Sequence, residues 1–362
     1  MSNTSLLGSF GGQAGDALMF RNRIVNGCMR IDQRNAGAAV TTEAYCLDRW
    51  RTWMSAAPGF SVQQNAGSVT PPAGFTNYLG CTVTNAITPG ASQRWSIQQS
   101  IEGFNVADLA WGTANAQSVA VSFWARSSLT GTLGGVIRNS AGNRAYPFTY
   151  SVSAANTWEY KTVIIPGDTS GTWLTNNGIG LSLVFSLGAG SSLVGAAGSW
   201  AGSDLWSATG SVNVIATAGA TLYITGVQLE SGAATPFERR PIGTELALCQ
   251  RYFEKSFIQS VAPANNTGDN RLGSITSFAT VNVSTAVYFK VSKRASGTVT
   301  LYNPVNATAN TISVFINGSW VTSAPRSPSF DEHRIDLEVQ VTGASTGSSY
   351  LISAHWTASA EL

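Results

Sequence analysis

The sequence predicts a mainly β protein: a jelly-roll-like β-sandwich, then one short helix, then a second, smaller β-sandwich. Three observations carry this. Charged residues make up only 11% of the 362 and hydrophobic ones 43%, against roughly 25% charged in ordinary soluble proteins, so a large core forms without the charged surface of long helices. Short runs rich in Val, Ile, Thr and aromatic residues recur between clusters of Gly, Pro, Asn and Ser, the signature of strands and turns. Only one stretch, after Pro241, carries convincing helical spacing.

Residues 1–40 read as an N-terminal lead or attachment segment: Gly-rich to Gln13, then one short strand around Met19–Gly27. Residues 41–240 read as the jelly-roll-like sandwich. Its strand signals include Phe60–Val62, Trp95–Gln99, Val119–Trp124, Tyr160–Ile165, Val212–Ala216 and Thr221–Thr225. The apolar core Leu181–Phe185 has the length of a buried strand. Residues 241–256 read as a helical connector, with Thr244 as cap, Glu245 in the first turn and Lys255 near the end to suit the helix dipole. Leu246, Cys249 and Phe253 recur at helical spacing and face a core. Residues 257–362 read as the second sandwich. There Arg334–Val341 alternates strictly between polar and aliphatic residues, as a half-exposed antiparallel strand does.

Composition excludes several function classes. The formal net charge is +2 with acids and bases scattered, and no charged residue occurs from Thr52 to Gln93 or from Thr169 to Ser203. Nucleic-acid binding needs clustered Lys and Arg, so none is expected. The most apolar stretch, Gly180–Gly198, is broken by serines and glycines and falls short of a membrane span. The start, Met1–Gln13, lacks the charged and apolar regions of a secretory signal, and folding in a cytoplasm is expected. Cys28, Cys46, Cys81 and Cys249 match no zinc or redox spacing and read as buried or half-buried free thiols.

Catalytic motifs are missing. The string Gly343-Ala344-Ser345-Thr346-Gly347 lacks the strand-turn-helix context of a hydrolase elbow, and Tyr350–Ile352 after it reads as a strand. The two histidines, His333 and His355, read as structural. Glycoside cleavage needs two carboxylates flanking the bond, and Glu102, Asp108, Glu159, Asp168, Asp204 and Glu230 are no more than any β protein of this length offers. Asp48 and Glu230 are hard-oxygen candidates for a structural calcium, but no calcium loop is readable. No catalytic residue, metal site or cofactor is therefore expected.

Eleven tryptophans say more, because an aromatic face stacks on the apolar face of a sugar while Asn, Gln and Arg bind its hydroxyls. Trp95, Trp111, Trp173, Trp200 and Trp206 lie in or beside polar or Gly-containing segments, where binding loops occur. Trp50, Trp53 and Trp124 sit beside strand-like or apolar residues and are assigned to the core. The candidate ligand-binding set is Trp173, Asn176, Asn177, Trp200 and Trp206. The uncharged segment around it suits a neutral glycan.

Several segments together resemble a family of bacteriophage and prophage tail-fibre proteins: Asn22-Arg23-Ile24-Val25-Asn26-Gly27-Cys28-Met29-Arg30-Ile31-Asp32-Gln33-Arg34-Asn35, Leu47-Asp48-Arg49-Trp50, Ile97–Gly103, Val121–Trp124, Tyr223–Gly232, Ala234–Arg240 and Glu245–Lys255. The likeness departs at Cys28, where similar sequences carry an acid, and thins after Pro304. It implies a virion appendage with a sandwich like that of carbohydrate-binding modules, usually trimeric, and supplies no catalytic residues. The expectation is a non-enzymatic tail-fibre or adhesion protein, assembled in the host bacterial cytoplasm and carried on the virion. Its expected partners are other virion proteins, two further copies of itself and host surface polysaccharide, with no nucleic acid and no membrane insertion. A purely structural decoration or connector protein and a polysaccharide depolymerase are the alternatives.

Overall fold

A computed structural model of the chain describes residues 20–56, 59–263, 271–276, 282–340 and 345–362. These divide into two compact units. The first holds the described parts of 20–30, 41–44 and 51–240, and the second those of 31–40, 45–50 and 241–362.

A short strand β1 (Tyr45–Leu47) falls in the second unit. The first unit is a sandwich of two antiparallel sheets. The larger includes β2 (Trp50–Met54), β5 (Arg94–Glu102), β10 (Ile179–Ala189), β7 (Gly131–Arg138) and β8 (Ala145–Val152), adjacent in that order. The smaller runs β3 (Phe60–Gln64), β4 (Leu79–Val83), β13 (Thr221–Ser231), β6 (Val119–Ser127) and β9 (Glu159–Ile165). Neighbours in space are mostly distant in sequence, so the chain crosses repeatedly between the sheets in jelly-roll fashion.

Period-2 alternation decides what each strand buries. Val119, Val121, Phe123 and Ala125 of β6 are fully buried, and Phe123 meets Phe185 of β10 at 4.9 Å and Tyr150 of β8 at 5.0 Å, edge to face. Those rings join the two sheets across the core. Each such fully buried side chain contributes about 1.5–3 kcal/mol. β10 is the expected buried strand, nearly all of its 11 residues being buried. Between β10 and β13 the chain makes an excursion over the outer face of the larger sheet, with a two-strand parallel pair, β11 (Val194–Gly195) and β12 (Ser207–Ala208).

Two readings of this unit change. Val212–Ala216 is not a strand: Val214–Ala216 forms a 3-10 turn. Val214 and Ile215 still bury completely, so their hydrophobicity serves the core from a turn. The expected short strand near Met19–Gly27 is irregular where described, and it is clasped to β13. Arg23 N–H donates to Leu229 O at 2.8 Å and Val227 N–H to Gly27 O at 2.9 Å. Asn22 Nδ2 donates to Val227 O at 3.1 Å, and its Oδ1 accepts from Leu229 N at 3.0 Å. A Cβ on Gly27 would overlap Val227 O.

The second unit begins its C-terminal part with helix α1 (Ile242–Gln250). It starts two residues before Thr244, with Pro241 at the cap and no side-chain cap bond. It also ends before Lys255, because β14 (Phe253–Lys255) pairs with β23 (His355–Ser359), Phe253 opposite Ser359. Tertiary strand pairing overrides the helical spacing of Phe253. The remaining strands are β15 (Arg271–Thr276), β16 (Asn282–Tyr288), β17 (Thr298–Tyr302), β18 (Ile312–Ile316), β19 (Ser319–Ser323), β20 (Pro325–Phe330), β21 (Arg334–Gln340) and β22 (Ser349–Ser353). They form antiparallel sheets β14-β23-β17, β15-β22-β18-β19 and β16-β21-β20. β21 buries Ile335, Leu337 and Val339, as its alternation requires. Residues 31–40 and 45–50 of this unit are tied in by buried polar contacts. Asp48 accepts from Gln33 N and Nε2, both at 2.6 Å; Glu361 pairs with Arg34 at 2.7 Å and with Arg49.

Cys46, Cys81 and Cys249 are buried and Cys28 half-buried, all as free thiols. His355 stacks on Phe257 at 4.1 Å, and Ser256 Oγ lies 3.0 Å from its Nδ1. Of the Gly-x-Ser-x-Gly string, Gly343 and Ala344 lie outside the described residues; Tyr350–Ile352 is part of strand β22. No described helix is long and apolar enough to cross a membrane.

Candidate glycan-binding face

On β6, inward-facing Phe123 leaves Trp124 and Ser122 on the outer face of the smaller sheet. β9 pairs with β6 so that Trp124 lies opposite Tyr160 and Ser122 opposite Thr162. Tyr160 is 45% exposed and Ile164 52% exposed, and Thr162 is exposed between them. An edge strand therefore presents Tyr, Thr and Ile to solvent, with half-buried Trp124 beside the Tyr at 5.5 Å.

A strap after β13 turns this face into a groove. β13 bulges between Thr225 and Gln228, and beyond the bulge it carries buried Gln228 and Glu230. Glu230 accepts from Thr235 N at 2.8 Å, Thr235 Oγ1 at 2.7 Å and Gln228 Nε2 at 2.7 Å. Gln228 Oε1 accepts from Glu238 N at 2.8 Å, and Glu238 accepts from Phe20 N at 2.6 Å and Asn22 N at 2.7 Å. Arg240 donates to Asn22 O and Ile24 O. Two polar side chains on β13, with Thr235, Glu238 and Arg240 of the strap, thus pin residues 235–240 to the sheet and to the 20–24 segment clasped on it. Phe75 packs on strap residue Phe237 at 5.2 Å. Its ring closes over Gly226, whose φ is +61°, so tightly that a Cβ would lie 2.7 Å from the ring; glycine is needed there on both counts.

Between strap and β9 lies an open groove of about 520 Å³, lined by Phe75, Trp124, Tyr160, Thr162 and Ala234–Phe237. That volume is within the usual range for small-ligand sites. The guanidinium of Arg239 sits 4.6 Å from the centroid of the Phe75 ring and 5.6 Å from that of Phe237, two rings that line the groove. The groove combines aromatic rings with threonine hydroxyls, and no carboxylate lines it. Trp124, assigned to the core from its neighbours in sequence, is the central residue here. The readable signal was the pair of alternations, Phe123/Trp124 on β6 and Tyr160/Thr162/Ile164 on β9.

The residues singled out from the sequence lie elsewhere. Trp111, Trp173 and Trp200 form a closed triangle with centroids 4.7, 5.3 and 5.5 Å apart, all edge to face. Their indole N–H groups donate to the backbone oxygens of Gln117, Ser170 and Pro166. Trp111 and Trp173 are buried and Trp200 is half-buried, so the triangle staples loops together. Asn176 is exposed and bonds its own loop at Gly178 N, 2.9 Å, and Asn177 is half-buried. Trp206 is 1% exposed, enclosed by Trp53 at 5.3 Å and by the guanidinium groups of Arg94 and Arg138 at 4.0 and 4.3 Å. It offers no free face, and its surroundings are charged: besides the two guanidinium groups, Asp204 accepts from its Nε1 at 3.0 Å. Trp95 is fully buried.

The carboxylates are committed to structure. Asp168 is held in a fork by Arg144 at 2.7 and 2.6 Å, which raises the Arg144 pKa through that hydrogen bond. Glu159 accepts from Ser153 N and Ala154 N and pairs with Lys161 at 2.6 Å; that pairing lowers its pKa. Asp108 pairs with Arg23 and Asp204 with Arg138, and Glu102 is buried. Asp48 and Glu230, the calcium candidates, are engaged by Gln33 and by Thr235 and Gln228. Among the described residues no group of three or more His, Cys, Asp or Glu is placed to hold a metal.

No family model matches the sequence, and no curated protein matches it. Among solved structures, the chain is similar to the enzymatically active domain of bacteriophage CBA120 tailspike protein 4, with 12% identity and a TM-score of 0.32. That match covers 59% of this chain and 22% of the tailspike chain. A putative sugar binding protein from Bacteroides thetaiotaomicron matches at 12% identity and a TM-score of 0.34, covering 58% of this chain and 100% of its own. The carbohydrate-binding module TmCBM61, solved with beta-1,4-galactotriose, matches at 12% identity and 0.30, covering 59% and 100%.

Proposed function

We propose that the chain is a non-enzymatic adhesion component of a bacteriophage virion, a tail-fibre protein that holds host surface polysaccharide in the Trp124–Tyr160 groove. The observation that carries this reading is the groove itself. Tyr160 is exposed and Trp124 is half-buried beside it, an apolar surface of the kind that marks interaction sites, and the polar latch at Glu230 and Gln228 holds the opposite wall in place. A pyranose ring laid on Trp124 and Tyr160 buries its apolar face while Thr162 and Arg239 meet its hydroxyls. The virion setting and the homotrimer rest on the resemblance of Asn22–Asn35, Tyr223–Gly232 and Ala234–Arg240 to tail-fibre proteins. Those same segments form the clasp and the strap that build the groove.

Two observations support a binding role: no carboxylate lines the groove, and the carboxylates of the first unit discussed above are buried or engaged by cations and backbone donors. The test is a glycan array probed with the full chain and with Trp124→Ala, followed by incubation of each hit with the protein. Binding lost in the variant, with no new reducing ends, is the expected result. Reducing ends would identify a depolymerase. Failure to bind any surface polysaccharide of bacterial hosts would favour a purely structural virion part.

A further inference from the structure

The two sides of the aromatic groove differ in chemistry. The floor carries polar groups: Trp124 and Tyr160, paired across β6 and β9, each have one polar atom at the edge of the ring, and Thr162 lies exposed beside them. The opposite side is made by Ala234–Phe237 together with Phe75. Thr235 is the one polar side chain there, and the latch uses it. Its Oγ1 donates to Glu230 at 2.7 Å and its N–H at 2.8 Å. The carbonyl oxygens of Thr235 and Pro236 lie 3.3 and 3.4 Å from Gln228 Nε2, and Pro236 has no N–H to offer. The bonds that fix the strap thus also take up its polar groups. What the strap leaves to the groove is carbon: Ala234, Pro236 and Phe237, the last held edge to face by Phe75 at 5.2 Å.

A pyranose lying between two such sides can bond hydroxyls along the floor and to solvent, but the edge it turns to the strap meets no partner. A hydroxyl on that edge loses water and gains no bond, which is unfavourable, whereas a methyl group there gains by burial. On the reading of the groove as a glycan site, we infer that it selects a 6-deoxyhexose, a sugar whose C6 is a methyl group. The ring lies on Trp124 and Tyr160 with hydroxyls toward Thr162 and solvent, and the C6 methyl is set against Pro236 and Phe237. An N-acetylated sugar also brings a methyl group, but its amide N–H and C=O need partners that the strap does not supply.

The test is ligand-observed NMR titration of the full chain with two pairs of glycosides that differ only in the hydroxyl on C6. The pairs are methyl α-L-rhamnoside with methyl α-L-mannoside, and methyl α-L-fucoside with methyl α-L-galactoside. In at least one pair the deoxy member is expected to bind about tenfold more tightly, from a buried methyl and a hydroxyl spared desolvation. Trp124→Ala should abolish its binding. Pro236→Ser, at an exposed position, puts a hydroxyl on the strap and should cut the preference to less than about threefold at an unchanged melting temperature. Equal affinity within both pairs overturns the inference; if Trp124→Ala abolishes that equal binding, the glycan groove itself stands. A preference kept in full in either variant places the methyl elsewhere and overturns it too. Tighter binding of methyl N-acetyl-β-D-glucosaminide than of either deoxy sugar does the same, as does failure of all four glycosides to bind at millimolar concentration. In that last case a Trp124-dependent hit on the glycan array keeps the groove and rejects only the 6-deoxy class.

Discussion

Replacing Glu230 with alanine removes the one acceptor that holds the strap at Thr235. The carboxylate is 2% exposed and takes Thr235 N, Thr235 Oγ1 and Gln228 Nε2 at 2.7–2.8 Å. Gln228 Nε2 keeps longer contacts of 3.3–3.4 Å to Thr235 and Pro236, so two donors lose their partner outright. A buried donor left without an acceptor costs about 1–3 kcal/mol, and bonds to charged groups lie at the upper end. The strap is at the surface, where water can reach a loosened Thr235, which lowers the sum to about 3 kcal/mol. For a unit of this size that corresponds to a fall of about 6–12 °C in melting temperature. The assay is urea and thermal unfolding followed by circular dichroism, with Thr235→Ala and the double variant completing a cycle. A coupling of at least about 1 kcal/mol is expected between the two sites. A Glu230→Ala change below about 1 kcal/mol, or additive single effects, would refute the latch. The variant is also expected to weaken glycan binding, although Glu230 does not line the groove, because the latch holds Ala234–Phe237 in place.

Three further outcomes are expected. Trp173→Ala should cost about 3–5 kcal/mol, as buried aromatic truncations do, with glycan affinity retained once the protein is folded; lost affinity at unchanged stability would contradict the stapling role. Gly27→Ala should destabilise the first unit by more than about 1 kcal/mol, since its Cβ meets a backbone oxygen that cannot move aside; wild-type unfolding of this variant would mean the clasp is loose. Burial pushes the Asp48 carboxyl up to about 6 against the opposing pull of Arg34 and Gln33. The folded chain then holds this proton more tightly than the unfolded one. Stability should therefore fall as pH rises from about 4 to about 6, by about 1.4 kcal/mol per pH unit from this group. Asp48→Asn should flatten that slope in denaturant melts, and an unchanged slope would exclude Asp48 as its source.

How far the sequence alone reaches depends on whether a signal is local. β21 and β10 were legible because alternation and an unbroken apolar run are properties of a few adjacent residues. The helix after Pro241 was legible in kind, but its end was not, since pairing of Phe253 with Ser359 links residues far apart in sequence. The tryptophans show the same limit more sharply. Alternation on β6 sets Trp124 on the face opposite Phe123, but neither for it nor for Trp206 do the neighbours in sequence tell which outer face another segment will cover. Trp124 stays open because β9 is an edge strand, whereas Trp206 is enclosed by arginines from β5 and β7. Asn22–Gly27 and Tyr223–Gly232 stood out in the sequence as separate segments. What joins them, one segment clasping the bulge of the other, needed the fold.

The central claim is that the Trp124–Tyr160 groove holds a glycan. The most direct measurement is a crystal structure of the chain with the tightest oligosaccharide found on the array. A sugar ring stacked on Trp124 and Tyr160, with hydroxyls at Thr162 and Arg239, is the expected result. Sugar density confined to the Trp111–Trp173–Trp200 triangle or to the second unit, with the groove untouched, would contradict it.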